Sequence, residues 1–134
     1  MRPISIAGQA LYAIFLPIAV VCFVGALVTD LSYVSSDGNL LWLNSSDWLL
    51  AAGLLFGAVA LLLMLIDSLR GAGWAGLLGL LCTWVVELFN SLIHARDGWT
   101  AVVPAGLVLS IIGALLVIVT GWLSRWGRAR VSRR

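Results

Sequence analysis

The chain has 134 residues, of which 62% are hydrophobic and only 10% are charged, and its mean hydropathy is +1.09. A soluble domain of this length carries about 25% charged residues to solvate its surface. The composition therefore excludes an ordinary soluble domain. It predicts a surface that mostly faces membrane lipids, and no nucleic-acid partner.

Four apolar stretches are each long enough to cross a bilayer as a helix, which takes about 20 residues. Short connections make each helix antiparallel to the one before it. The sequence predicts an all-α integral membrane protein, an antiparallel four-helix bundle forming a single domain over residues 1–134. The predicted spans are 11–34, 48–69, 74–93 and 100–123.

The longest connection lies between the first two spans. Within it, the apolar run Leu40–Leu43 is expected to dip into the membrane interface. Ser46 and Asp47 directly precede the second span, and both are residue types that cap helix N-termini. The sequence therefore predicts that the second helix begins after Asp47.

Arginines predict the orientation. All eight basic residues are arginines, and seven of them fall on the side that holds both termini and the second connection. Basic residues favour the cytoplasmic side, so both termini are expected in the cytoplasm of a multi-pass bacterial inner-membrane protein. A tail over residues 124–134 is expected to bind lipid headgroups or a partner through Arg125, Arg128, Arg130, Arg133 and Arg134.

Small residues four apart mark probable faces of helix–helix contact. Membrane helices associate through close packing, and small residues allow their backbones to approach each other. We expect these pairs to lie mainly inside the bundle: Gly53 with Gly57, Ala72 with Gly76, Ala75 with Gly79, and Gly106 with Ser110.

The third span carries one polar stripe. Its members recur at three- and four-residue steps, which places them on one face of a helix. Glu87 lies about 10 Å deeper than His94, the last of them. The stripe comprises Thr83, Glu87, Asn90, Ser91 and His94.

Two interpretations of the stripe are open. In the functional one, Glu87 binds a proton and His94 stands at the mouth of a polar path. In the structural one, Glu87 only forms hydrogen bonds inside the bundle. The structural interpretation is favoured because no second acidic or basic residue within a span completes a relay. Asp30 and Asp67 lie near helix ends, where they are expected to face headgroups or pair with Arg96 and Arg70.

No metal or cofactor is predicted. Cys22 and Cys82 stand alone in apolar runs, without the spacing of metal ligands. Bis-histidine haem ligation needs two imidazoles, and His94 is the single histidine. Trp84, in the middle of a span, is expected to pack against protein or lipid.

Several segments resemble the bacterial four-helix membrane proteins classified as domain of unknown function family 2231. The most specific is HARDGWTAVVP, within FNSLIHARDGWTAVVPAGLVLS (Phe89–Ser110), which is followed by VTGWLS. LPIAVVCFVGALVTDL in the first span and SDWLLAAGLLFGAVALLLMLIDSL in the second match the same pattern. The resemblance covers nearly the whole chain and implies a four-helix inner-membrane fold with no established activity.

The resemblance also bears on cofactors. Family members often carry histidines at positions that are Ala10 and Gly76 here. If those histidines bind a redox cofactor, the resemblance implies that this chain has lost the capacity. Relatives are often encoded near periplasmic sugar dehydrogenases, so the resemblance implies a membrane protein that serves as a partner of such an enzyme.

Three functions remain open from the sequence. The first is a non-catalytic subunit or scaffold of a bacterial inner-membrane complex, associated with a respiratory or periplasmic dehydrogenase system, with partner subunits or further copies of itself. The second is a small transporter or proton-conducting element that uses Glu87. The third is a haem- or quinone-linked redox subunit. No catalytic residues are predicted, so the chain is not expected to be an enzyme.

Overall fold

A computed structural model describes residues 6–71, 73–96 and 102–131. Each of its long helices contains a segment long and apolar enough to cross a membrane. The predicted all-α fold with four spans is confirmed, and every element within the described ranges is helical. The helices are α1 (Ile6–Ser35), α2 (Leu40–Leu69), α3 (Ala75–His94) and α4 (Leu107–Val131), and a short helical segment, Val102–Gly106, precedes α4.

The predicted start of α2 is wrong. The helix begins at Leu40, about two turns before the expected position, because the side chain of Asn39 accepts a hydrogen bond from the backbone N–H of Leu41 and caps it there. The apolar run Leu40–Leu43 is therefore the first turn of a spanning helix. Ser46 does not cap the helix; it is fully buried inside the bundle.

The helices run antiparallel, so each end of the bundle gathers two or more chain segments. The end that holds the α1–α2 and α3–α4 connections is called the His94 end below, and the opposite end, which holds the α2–α3 connection, is called the Arg70 end. A hydrogen bond from the last turn of α3 to α1 joins two of these segments at the His94 end. Most of the buried polar side chains lie at that end.

Glycines set the distances between the helices, as predicted. A Cβ atom on Gly53 would stand 2.6 Å from the Phe23 ring of α1, and one on Gly79 would stand 2.6 Å from Thr120 of α4. These separations are too short for any larger residue. Both positions therefore lie in tight contacts inside the bundle. Ala75 is exposed and does not contribute such a contact, and Ala72 lies outside the described residues.

Trp84 packs inside the bundle, between α2 and α3. Its ring lies against Gly57 of α2, and its indole N–H donates to the backbone carbonyl of Leu54 at 2.9 Å. Within a bilayer core a donor without a partner is costly. Trp84 thus joins α2 to α3 through both packing and a hydrogen bond.

Candidate functional site

The predicted stripe on α3 faces the interior of the bundle. Thr83, Glu87 and Asn90 are fully buried and His94 is 3% exposed. Ser91 is the exception, because it is half-buried and takes part in none of the hydrogen bonds described below. Four of the five positions that the three-and-four spacing predicts are therefore buried inside the bundle.

Asp30 does not lie where the sequence predicts. It was expected to face headgroups or pair with Arg96, yet it is fully buried, and its Oδ1 lies 3.0 Å from Nε2 of His94. Asp30 stands five residues from the end of α1, about 7.5 Å along the helix, which is deep enough for α2, α3 and α4 to enclose it. A second ionisable residue therefore does lie beside the stripe.

Two serines complete the surroundings of Asp30. Ser46 on α2 donates to Oδ1 of Asp30, and Ser110 on α4 donates to Oδ2. The hydroxyl of Thr29 lies 3.0 Å from that of Ser46. Side chains of three helices, α2, α3 and α4, thus form hydrogen bonds with this one carboxyl group of α1, which satisfies the requirement that buried polar groups be hydrogen-bonded.

Asn90 connects this cluster to Glu87. Its side-chain Nδ2 donates both hydrogens, one to Oε2 of Glu87 at 2.9 Å and one to Ser110 at 2.8 Å. Since Ser110 gives its own hydrogen to Asp30, it can only accept from Asn90, and this fixes the orientation of the amide. The buried network, as named here, comprises Asp30, Ser46, Glu87, Asn90, His94 and Ser110.

The Asp30–His94 pair holds one proton between its two facing atoms. Nδ1 of His94 lies 3.0 Å from the carbonyl oxygen of Asn90, which accepts only, so Nδ1 carries a hydrogen. Nε2 faces Oδ1 of Asp30, and one of these two atoms must carry a proton for a hydrogen bond to exist. An imidazolium facing a carboxylate and a neutral imidazole facing a carboxylic acid both fit the donors around Asp30.

The carboxyl group of Glu87 has fewer hydrogen-bond partners than that of Asp30. Among the described residues, its Oε1 has no hydrogen-bond partner, and neither does Oδ1 of Asn90. Both atoms are acceptors, so the missing component is a hydrogen donor. A proton on Glu87 would remove the charge from the bilayer interior, where an unpaired carboxylate costs at least several kcal/mol.

Two glycines, one on α4 and one at the end of the segment before it, make room for the two titratable side chains of α3. A Cβ atom on Gly113 of α4 would overlap Oε1 of Glu87, and one on Gly106 would stand 2.8 Å from Cε1 of His94. The backbone of α4 therefore closes directly over Glu87, and the backbone just before α4 closes over His94. These two glycines belong to the site, and sequence reasoning assigned a role to neither of them beyond helix packing.

The network does not extend towards the Arg70 end. Thr83, one turn beyond Glu87, donates to the carbonyl of Gly79 in its own helix. Further along lies a cavity of about 20 Å³ on the bundle axis, lined by Leu16, Val20, Met64, Leu80, Val117, Thr120 and Gly121. That volume holds about one water molecule, but Thr120 offers its only polar side chain, so the cavity favours a dry state. Among the described side chains, the network therefore extends from Glu87 towards the His94 end only.

The single histidine, His94, is the candidate ligand for a haem iron. Both ring nitrogens of His94 are engaged, so ligation of haem iron would break the contact with Asp30 or that with Asn90.

The arginines predicted to bind lipid headgroups or a partner lie in the C-terminal tail. Arg125, Arg128 and Arg130 fall within α4, but their side chains lie outside the described ones. Arg133 and Arg134 lie outside the described residues altogether.

A sequence model of one protein family matches this chain. It is described as a predicted membrane protein family, DUF2231, and the match covers residues 8–130. No curated protein and no solved structure matches the sequence.

Proposed function

The chain belongs to the DUF2231 family of predicted membrane proteins, and we propose that it binds and releases a proton at Glu87, inside the membrane. The observation that carries the proposal is the half-satisfied state of Glu87. One of its carboxyl oxygens accepts from Asn90, and the other has no partner in a site closed by the backbone of α4.

The contrast with Asp30 supports this choice of group. Every oxygen of Asp30 receives a hydrogen bond, so its surroundings are complete in either protonation form of the pair. The surroundings of Glu87 lack a donor. A bound proton removes the negative charge, and its release leaves a carboxylate that, among the described residues, accepts a hydrogen bond only from Asn90. Glu87 is therefore the group whose protonation changes the network most.

The apolar side chains between Glu87 and the Arg70 end favour proton binding over steady proton conduction. A conducting path needs polar groups or water on both sides of Glu87, and the axial cavity beyond it is lined almost wholly by apolar side chains. A proton taken up from the His94 end would therefore return to the same side. Such a site suits a subunit that senses or couples to proton concentration.

Proton counting tests the proposal. The protein in lipid nanodiscs is given a pH step through neutrality, and a soluble dye reports the protons released per chain. We expect wild type to release more protons than Glu87→Gln, which keeps the shape of the side chain. Asp67→Asn is the matched control, since it removes a half-buried carboxyl outside the network. Equal release from wild type and Glu87→Gln would make the network purely structural.

A second candidate is a subunit of a larger inner-membrane complex. A shallow apolar groove on the bundle surface between α1 and α2 favours it, because its ridges and small floor residue can receive a further helix. It is lined mainly by Val20, Val21, Val24, Gly25, Val28 and Leu49. Native mass spectrometry after gentle extraction from the source membrane separates the two outcomes: a defined complex supports a subunit, and an isolated chain argues against it.

The proposed location is the inner membrane of a bacterium, with both termini in the cytoplasm. The sequence assigns seven of its eight arginines to the side of the two termini, which supports that orientation; the His94 end then faces the periplasm. The test uses a background in which Cys22 and Cys82 are serines. A membrane-impermeant thiol reagent added to intact cells should label Ser35→Cys and leave Gly73→Cys unlabelled. The reverse pattern would invert the orientation.

A further inference from the structure

Asp47 lies on the edge of the buried network without belonging to it. It directly follows Ser46 on α2, and the fully buried Leu43 and Leu50 lie four residues before it and three after it. Residues at those spacings share one side of a helix, so Asp47 stands at the flank of the buried face. Its half-buried state fits this position between protein interior and surroundings.

Asp47 lies near the buried pair. It is close enough to His94 of α3 and to Asp30 of α1 for their charges to interact. The remaining titratable group of the cluster is Glu87, also on α3. The described side chains of α4 contain no titratable group and contribute the hydroxyl of Ser110 here. Asp47 is thus the one acidic group of this cluster that is not fully buried.

The pair needs an intermediary to exchange its proton with water. Asp30 is fully buried and His94 is 3% exposed, so water has almost no direct access to the shared proton. A carboxylate at the edge of such a site can accept a proton from the interior and pass it outward. The geometry points to Asp47 as the proton-transfer group through which the Asp30–His94 pair exchanges with the aqueous phase at the His94 end.

The exchange balances without a further reactant. Asp47 forms no hydrogen bond with the pair in the described part of the chain, so the transfer runs through one intervening water. That water takes the proton of the pair as it gives one of its own to Asp47, and Asp47 then gives a proton to the aqueous phase. The return transfer from water through Asp47 restores the proton of the pair, so no net charge accumulates. Because this step concerns the pair, it stands or falls separately from proton binding at Glu87.

The single histidine of the chain makes the test unambiguous. Protein carrying ¹⁵N-histidine is placed in lipid bilayers, transferred to deuterated buffer, and the decay of the His94 ring N–H signals is followed by NMR. We expect Asp47→Asn to slow the exchange by about a hundredfold, the lower end of the usual contribution of a positioned acid or base. Asp37→Asn, which removes an exposed carboxyl from the α1–α2 connection, should leave the rate unchanged.

A conservative variant distinguishes the loss of the carboxyl group from a loss of the fold. Asp47→Glu keeps a carboxyl at the same edge and should retain at least a tenth of the wild-type exchange rate, a loss far smaller than that of Asp47→Asn. Unchanged ¹⁵N shifts of His94 in Asp47→Asn will establish that the pair itself is intact. Exchange in Asp47→Asn as fast as in wild type, or equally slow exchange in Asp47→Glu, would overturn the assignment.

Discussion

Asp30 and His94 are separated by 64 positions in the chain and meet at 3.0 Å, Oδ1 to Nε2, inside the bundle. This contact joins α1 to α3 and, through the serines that flank Asp30, involves all four helices. Removal of one partner leaves the other buried without its main hydrogen bond, a larger effect than the worth of the bond itself. The contact therefore supports both the fold and the chemistry proposed here.

The two residues of the pair should be energetically coupled. In a double-mutant cycle with Asp30→Asn and His94→Gln, we expect a coupling free energy of about 1–3 kcal/mol, since contacting residues of one network are not additive. Reversible unfolding in mixed detergent micelles measures each free energy of unfolding. Additive losses in the double variant would show that the contact contributes nothing of its own.

Gly113 should not tolerate a methyl group. Gly113→Ala places a Cβ where Oε1 of Glu87 now stands, so the carboxyl or α4 must move. Overpacking of this kind costs about 1–3 kcal/mol, which outweighs the gain of about 1 kcal/mol that alanine brings to a helix. Thermal unfolding in detergent should show a lower midpoint.

Gly121 provides the matched control in the same helix. No atom lies within 4 Å of a Cβ built there, so Gly121→Ala should leave the unfolding midpoint unchanged or raise it. Equal effects of the two substitutions would mean that Glu87 does not pack against Gly113 as described.

The indole N–H of Trp84 should stabilise the contact between α2 and α3. Trp84→Phe keeps an aromatic ring against Gly57 but removes the donor to the Leu54 carbonyl. We expect a loss of about 1 kcal/mol in the free energy of unfolding. Trp74→Phe, at a half-exposed ring, should cost clearly less. A larger loss at position 74 would contradict this account of Trp84.

The sequence was sufficient for the number of spans and for the α3 part of the site, but not for the start of α2. Spans follow from the length of apolar runs, and the inward positions of Glu87, Asn90 and His94 follow from their helical spacing. Both are local properties of one segment. They need no knowledge of which helix packs against which.

The rest of the network depends on tertiary contacts. Asp30 resembled an interfacial residue because only five residues separate it from the end of α1. Ser46 resembled a cap because the apolar run before it was interpreted as part of a loop. Asn39, a capping residue type placed directly before that run, was the local signal for the true start of α2. With the helix extended, Ser46 would have been placed within a span at the depth of Asp30.

The most direct measurement of proton binding at Glu87 is difference infrared spectroscopy of the protein in lipid bilayers during a pH step. A protonated carboxyl buried in the membrane gives its own C=O stretching band. We predict a band that responds to the step in wild type and in Asp67→Asn and is absent in Glu87→Gln. If the same band persists in Glu87→Gln, or if wild type has none, Glu87 does not bind and release the proton.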